Sequence, residues 1–237
     1  MKISVVSIFP EIFKSFLETS LIAKAIEKKR LICEIVNPRD FCEGKQKQID
    51  DEIYGGGAGM LMKAKPVIDA VESIINSDES LGSPHQAMKH IKIIFLSPSE
   101  KFFDQRMAYE FSSLEHIIFI CGRYEWIDYR FEEYMKKKYS EQFTKISLGR
   151  FVTMWGEVPA MLIIESVARL IPWVINEEQS HLLESYDPKK NMQNIEYPHY
   201  TRPEEMYWMK VPEVLLSGNH SQIAMWRIDN EKWRMKN

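Results

Sequence analysis

EHIIFICGRYEWID, residues 115–128, carries the pattern that decides the fold. Ile117, Ile118, Phe119, Ile120 and Cys121 form an apolar run with no polar alternation, as in a strand buried on both faces. The run enters a turn at Gly122, where the backbone can approach a ligand closely. In open α/β sheets ligands bind beyond the carboxyl ends of the strands. Arg123, Tyr124, Glu125 and Asp128 supply polar groups at that end. Trp126 is out of place, a bulky indole inside a tight turn.

Working outward, ISVVSIF (3–9), LICEIVNP (31–38) and HIKIIFLSP (90–98) read as further buried strands. Between them, residues 11–29, KAKPVIDAVESIINS (63–77) and FFDQRMAYEFSSL (102–114) carry helical spacing of apolar side chains. Strands alternating with helices at this rhythm predict an α/β fold with a parallel sheet covered on both faces. VPAMLIIESVARLIPWVI (158–175) predicts a long helix packed on that sheet. Residues 176–198 are polar and aperiodic, the composition of an interdomain linker. EEMYWMKVPEVLLS (204–217) and NHSQIAMWRIDNEKWRMK (219–236) predict a small helical domain, its last helix capped by Ser217 or Asn219.

Composition narrows the function classes. The 237 residues are 45% hydrophobic and 27% charged, with a formal net charge of −3, an ordinary globular balance. A strongly basic chain would point to nucleic acid; here only local basic patches can do so. Cys33, Cys42 and Cys121 are odd in number and lack metal spacing, so reduced thiols in the cytoplasm are expected. MKISVVSIFPEIF is too short for a signal peptide, and no apolar run reaches the roughly 18 residues of a membrane span. The expectation is a cytoplasmic protein with no membrane partner. The six histidines form no HxxxH or Cys/His pair, so no metal ligands are assigned.

Three segments have the composition of binding loops. YGGGAGMLM (54–62) lets backbone approach a ligand or another chain, or is a plain flexible loop. It lacks the strand context of G-x-G-x-x-G and the Lys-Ser/Thr of a P-loop, so nucleotide phosphate is not indicated. SLGRFVTMWGEVP (147–159) is either a surface loop or a wall of backbone amides around an adenine-like ring. PHYTRPEE (198–205) sets His199, Tyr200 and Arg202 between two prolines, as a phosphate or base contact or as a structural corner.

SIFPEIF, NPRDF, D-D-x-x-YGGGAGMLM, LSP, CGRYE-x-ID, LGRFV with GE-x-PAM, ESVARLIP, PHYTRPE and VPEVLLSGNH occur in this order. Together they resemble the bacterial tRNA (guanine-N1)-methyltransferase family of the SPOUT class, over essentially the whole chain. The resemblance implies a deep trefoil knot in the parallel-sheet domain (1–175), a mobile linker (176–198) and a short all-α tRNA-binding domain (199–237). It also implies a homodimer, S-adenosylmethionine as methyl donor and magnesium dependence. The substrate it implies is tRNA with guanine at position 37, immediately 3′ of the anticodon.

Residue by residue, the resemblance implies that Leu96, Gly122, Tyr124, Glu125, Leu148, Gly149, Arg150, Phe151, Val152, Thr153 and Gly156 surround the donor. Arg150, Phe151 and Thr153 depart from the family's Asp, Tyr and Leu. Guanine N1 carries a proton at neutral pH and needs a base near it, with a cation near O6 where negative charge develops. Matching ESVARLIP makes Arg169 the cation, and matching SHLLESY (180–186) makes Glu184 the base in place of the family's Asp. Two rival readings go with the resemblance: a tRNA-binding relative without methyl transfer, and a methyltransferase of the same fold acting on another base.

The resemblance also implies glycine at four positions where this chain has Trp126, Trp155, Trp173 and Trp208. Trp226 and Trp233 fall where relatives have tryptophan too. The chain has 10 glycines, against about 17 expected at ~7% usage. A single base change turns the glycine codon GGA into UGA, which some bacteria read as glycine and another variant code reads as tryptophan. The expectation is therefore glycine in the natural protein at 126, 155, 173 and 208, and weak donor binding when indoles stand there.

Overall fold

The computed structural model describes residues 1–77, 90–175, 185–187 and 194–234. Two compact units divide the chain, Met1–Asn176 and Glu177–Asn237. The expected linker at 176–198 falls largely outside the described residues.

In the first unit the strands are β1 (Lys2–Val6), β2 (Ile32–Val36), β3 (Asp50–Glu52), β4 (Met60–Met62), β5 (Ile91–Phe102), β6 (His116–Ile120), β7 (Trp126–Ile127) and β8 (Phe143–Ser147). The helices are α1 (Lys14–Leu17), α2 (Ser20–Glu27), α3 (Ala64–Ser77), α4 (Gln105–Ser112), α5 (Arg130–Lys138) and α6 (Glu157–Ala168). The main sheet has the order β2-β1-β6-β5-β8, and every pairing in it is parallel. A parallel sheet needs cover on both faces, and side-chain alternation supplies it. Ile3, Val5, Leu96, Ile117 and Phe119 pack with α2, α4 and α6. Val6, Ile93, Phe95, Ile118 and Ile120 pack with α3 and α5.

Two departures from the sequence reading shape the site. β5 runs on to Phe102, but its pairing with β8 slips, so that Leu96 and Lys101 both lie opposite Ile146. The residues between them bulge from the ladder at the sheet's carboxyl edge. Asp104 then caps α4, its carboxylate accepting from Met107 N–H at 2.9 Å, so the helix starts later than residue 102. The helix expected over 158–175 stops at Ala168, because Pro172 offers no N–H and Trp173 takes a left-handed φ of +71°.

A second, three-stranded sheet has the order β3-β4-β7. Leu61 pairs with Trp126 and Met62 with Ile127 in parallel, which brings the glycine-rich loop beside the turn after β6.

The second unit contains β9 (Glu205–Met206), β10 (Met209–Lys210), α7 (Glu213–Leu216) and α8 (His220–Arg234). The segment 204–217 is thus an antiparallel hairpin followed by one short helix, a departure from the all-helical expectation. Tyr207 turns the chain at φ +59°, and Pro212 cannot continue a helical hydrogen-bond ladder. Asn219 Oδ1 accepts from Gln222 N–H at 3.2 Å, capping α8.

Candidate active site

Three segments that follow main-sheet strands or interrupt them enclose a cavity of about 300 Å³. They are the β5 bulge (Leu96, Ser97, Pro98), the turn after β6 (Gly122 to Trp126) and the loop from β8 to α6 (Ile146 to Gly156, without Gly149 and Arg150). Pro159 completes the lining. The volume lies at the small end of the range for small-molecule and cofactor sites.

Close backbone packing joins two of these walls. Gly156 N–H donates to Gly122 O at 3.3 Å. A Cβ at 156 would stand 2.8 Å from Cys121 Cα and 3.0 Å from Gly122 N, so the approach requires glycine. Gly149 has a different task. A Cβ there would come within 2.6 Å of the Phe151 ring, and Ser147 Oγ accepts from Gly149 N–H at 3.2 Å.

Nine of the eleven residues carried over as donor contacts line this cavity: Leu96, Gly122, Tyr124, Glu125, Leu148, Phe151, Val152, Thr153 and Gly156. Gly149 and exposed Arg150 lie in the same loop but not in the lining. The structure adds Ser97, Pro98, Arg123, Ile146, Ser147, Met154 and Pro159; all but Ile146 lie within segments quoted above, although none was assigned there as a donor contact. Arg169 is not brought to the cavity along its own chain. It is the C-terminal cap of α6, while the cavity adjoins the start of that helix at Gly156, about 20 Å away at 1.5 Å per residue. Glu184 lies outside the described residues.

Arg123 of the lining belongs to a buried ion pair. Arg123 Nε donates to both carboxylate oxygens of Glu157 at 3.1 Å, and Ser7 Oγ donates to Glu157 Oε1 at 2.7 Å. Glu157 is 0% exposed and Arg123 9%. The guanidinium lies 4.3 Å from the Phe9 ring centroid and 4.2 Å from that of Trp155, two cation–π contacts. Burial, with Glu157 nearby, pushes the Cys121 thiol well up, so it is no nucleophile at neutral pH. The glycine-rich loop touches the site's rim at Gly59, where a Cβ would overlap the Glu125 side chain. Arg39 Nη2 donates to Tyr124 Oη at 3.4 Å, joining NPRDF to the same rim.

Of the four anomalous tryptophans, Trp126 and Trp155 line the cavity. Trp126 is half-buried and packs on Phe95 with ring centroids 5.2 Å apart. Trp173 and Trp208 are 62% and 84% exposed. Among the four, left-handed backbone is confined to Trp173. Glycine's conformational freedom therefore bears on one position, and side-chain volume in the cavity on two others.

Among the described residues no group of three His, Cys, Asp or Glu could hold a metal ion, and no helix is long and apolar enough to cross a membrane.

Comparison with known proteins gives one consistent result. The family described as "tRNA (Guanine-1)-methyltransferase TrmD" matches residues 1–237. Proteins named tRNA (guanine-N(1)-)-methyltransferase are similar to this chain in several bacteria. The Listeria innocua serovar 6a protein is 40% identical over 227 residues, 96% of this chain and 85% of its own length. The Bacillus pumilus protein is 42% identical over the same shares. The Clostridioides difficile protein is 41% identical, with 90% of its length covered.

Proposed function

The chain belongs to the tRNA (guanine-1)-methyltransferase family, and on that footing we propose that it methylates N1 of the guanine at position 37, 3′ of the tRNA anticodon, with S-adenosylmethionine as donor. The observation that carries this reading is the cavity at the sheet's carboxyl edge, lined by nine of the eleven residues that the family resemblance implies. Its volume and its mix of apolar walls with Ser97, Tyr124, Glu125, Ser147 and Thr153 fit an adenosyl group. When bound, S-adenosylmethionine supplies a methyl group on a sulfonium, with a neutral thioether as leaving group.

The remaining work falls to side chains. Glu184 takes the N1 proton of guanine, so that the N1 lone pair can accept the methyl group. Arg169 faces O6 and offsets the negative charge that develops there. The turn after β6 and the β8–α6 loop hold the donor in line with N1. Arg169 stands a helix length from the cavity of its own chain, which supports a homodimer whose partner brings this cation to the donor. The tight seam between Gly156 and the Cys121–Gly122 backbone supports a trefoil knot, in which the β8–α6 segment threads past the β6 turn. Magnesium dependence and a cytoplasmic location belong to the same proposal.

A second reading has one observation in its favour. Trp126 and Trp155 stand in the lining, and a chain whose donor site is filled by those indoles is a tRNA-binding relative without methyl transfer. Incubation with transcribed tRNA and S-adenosylmethionine separates the readings. N1-methylguanosine at position 37 supports methyl transfer as proposed. Methylation elsewhere assigns another base, and retained tRNA binding with no methylated product assigns the binding protein.

A further inference from the structure

Glu157 has no route to act on a substrate. It is 0% exposed, and its carboxylate oxygens already accept from Arg123 and Ser7. Its position is nonetheless unusual. It opens α6 directly after Gly156, whose backbone is sealed against Cys121 and Gly122. Arg123 belongs to the turn that forms the opposite wall of the cavity, and Ser7 follows β1. One carboxylate thus fastens the β6 turn, the end of β1 and the helix that follows the β8–α6 loop.

We infer that Glu157 is a positioning residue for the methyl donor, acting through Arg123 to hold the 122–126 and 147–156 walls at their working separation. The first turn of a helix favours a carboxylate, and the guanidinium beside it needs a counter-charge because it is nine-tenths buried. Phe9 covers one face of that guanidinium. Without the carboxylate, Arg123 lowers its energy by moving toward water, and it takes Gly122, Tyr124 and Glu125 with it. The cavity then loses its shape while the sheet beneath it, built on separate apolar contacts, stays intact.

This inference rests on the donor site proposed above, so its test has an arm that needs no donor. Amide hydrogen exchange is measured on the parent, on Glu157→Gln, and on the double variant Glu157→Gln with Arg123→Gln, which leaves no buried charge. In Glu157→Gln, exchange in 122–126 and 147–156 should rise about tenfold or more, with β1, β5 and β6 unchanged. The double variant should regain global stability but keep the loosened walls. The KM for S-adenosylmethionine should rise about tenfold in both variants, with kcat within roughly threefold of the parent. Unchanged exchange in the two walls, or an equal rise across the whole unit, would overturn the inference. A parent that fails to bind S-adenosylmethionine removes the donor reading alone, and the exchange arm still decides the role of Glu157.

Discussion

Gly156 lies against Cys121 so closely that a Cβ at 156 would stand 2.8 Å from Cys121 Cα. The neighbour is backbone and cannot rotate away. Gly156→Ala should therefore move the β8–α6 loop outward and cost about 1–3 kcal/mol, the usual range for overpacking. Thermal unfolding and S-adenosylmethionine titration check this together. A variant with parental stability and parental affinity would show that the seam does not set the cavity.

Arg169→Ala should lower kcat by roughly 10²-fold or more, with donor affinity within about threefold of the parent, because its proposed contact is made in the transition state. Single-turnover kinetics at saturating tRNA and donor measure it. Mixing this variant with a second one disabled in its own cavity (Gly156→Ala) tests the homodimer. Activity regained in the mixed dimer supports a partner's Arg169 at each site.

The buried carboxylate of Glu132 predicts a pH dependence of stability. Burial alone would raise its pKa, but hydrogen bonds from Lys136 at 2.7 Å and Lys145 at 3.2 Å outweigh burial and hold it below the usual carboxylate range. A carboxyl lowered in the folded state binds fewer protons there than in the unfolded chain. Its contribution is complete above the unfolded pKa of about 4.3 and is lost as pH falls below it. Urea midpoints should drop between about pH 5 and pH 3, and Glu132→Gln should flatten that drop. At neutral pH the same variant should be less stable by about 1.5–3 kcal/mol, the range for hydrogen bonds to a charged group, while Lys145 keeps Glu100 at 3.6 Å.

The sequence made the sheet legible and the site only partly so, for physical reasons. β6 reads as a strand from residues alone, because burial on both faces demands an unbroken apolar run. β3, β4 and β7 span two or three residues each, too short for any period to register. The glycine-rich loop's place beside the β6 turn comes from those short pairings, so it could not be read in advance. The Arg123–Glu157 pair joins residues 34 apart through the fold; each stands in a quoted motif, but nothing local to either announces the pairing. Gly149 and Arg150 share the cavity loop yet miss its lining, since only the folded path decides which residues of a turn point inward.

The gene itself tests the tryptophan anomaly. UGA codons at 126, 155, 173 and 208, with UGG at 226 and 233, would support glycine at the first four positions in the natural protein. UGG at all six would contradict it. Trp173 is the position where the backbone speaks for glycine, at φ +71°. Restoring glycine at Trp126 and Trp155, the two indoles in the lining, should tighten S-adenosylmethionine binding about tenfold or more, as relief of 1.4 kcal/mol or more of overpacking implies.

The most direct measurement is the position of the methyl group on a transcribed tRNA that carries guanine 3′ of its anticodon, using the four-glycine protein and the tryptophan form side by side. Nuclease digestion and mass spectrometry should find N1-methylguanosine at position 37 with the four-glycine protein, dependent on S-adenosylmethionine, and much less with the tryptophan form. Absence of N1-methylguanosine from both reactions, or its appearance at a different nucleotide, would contradict the proposed function.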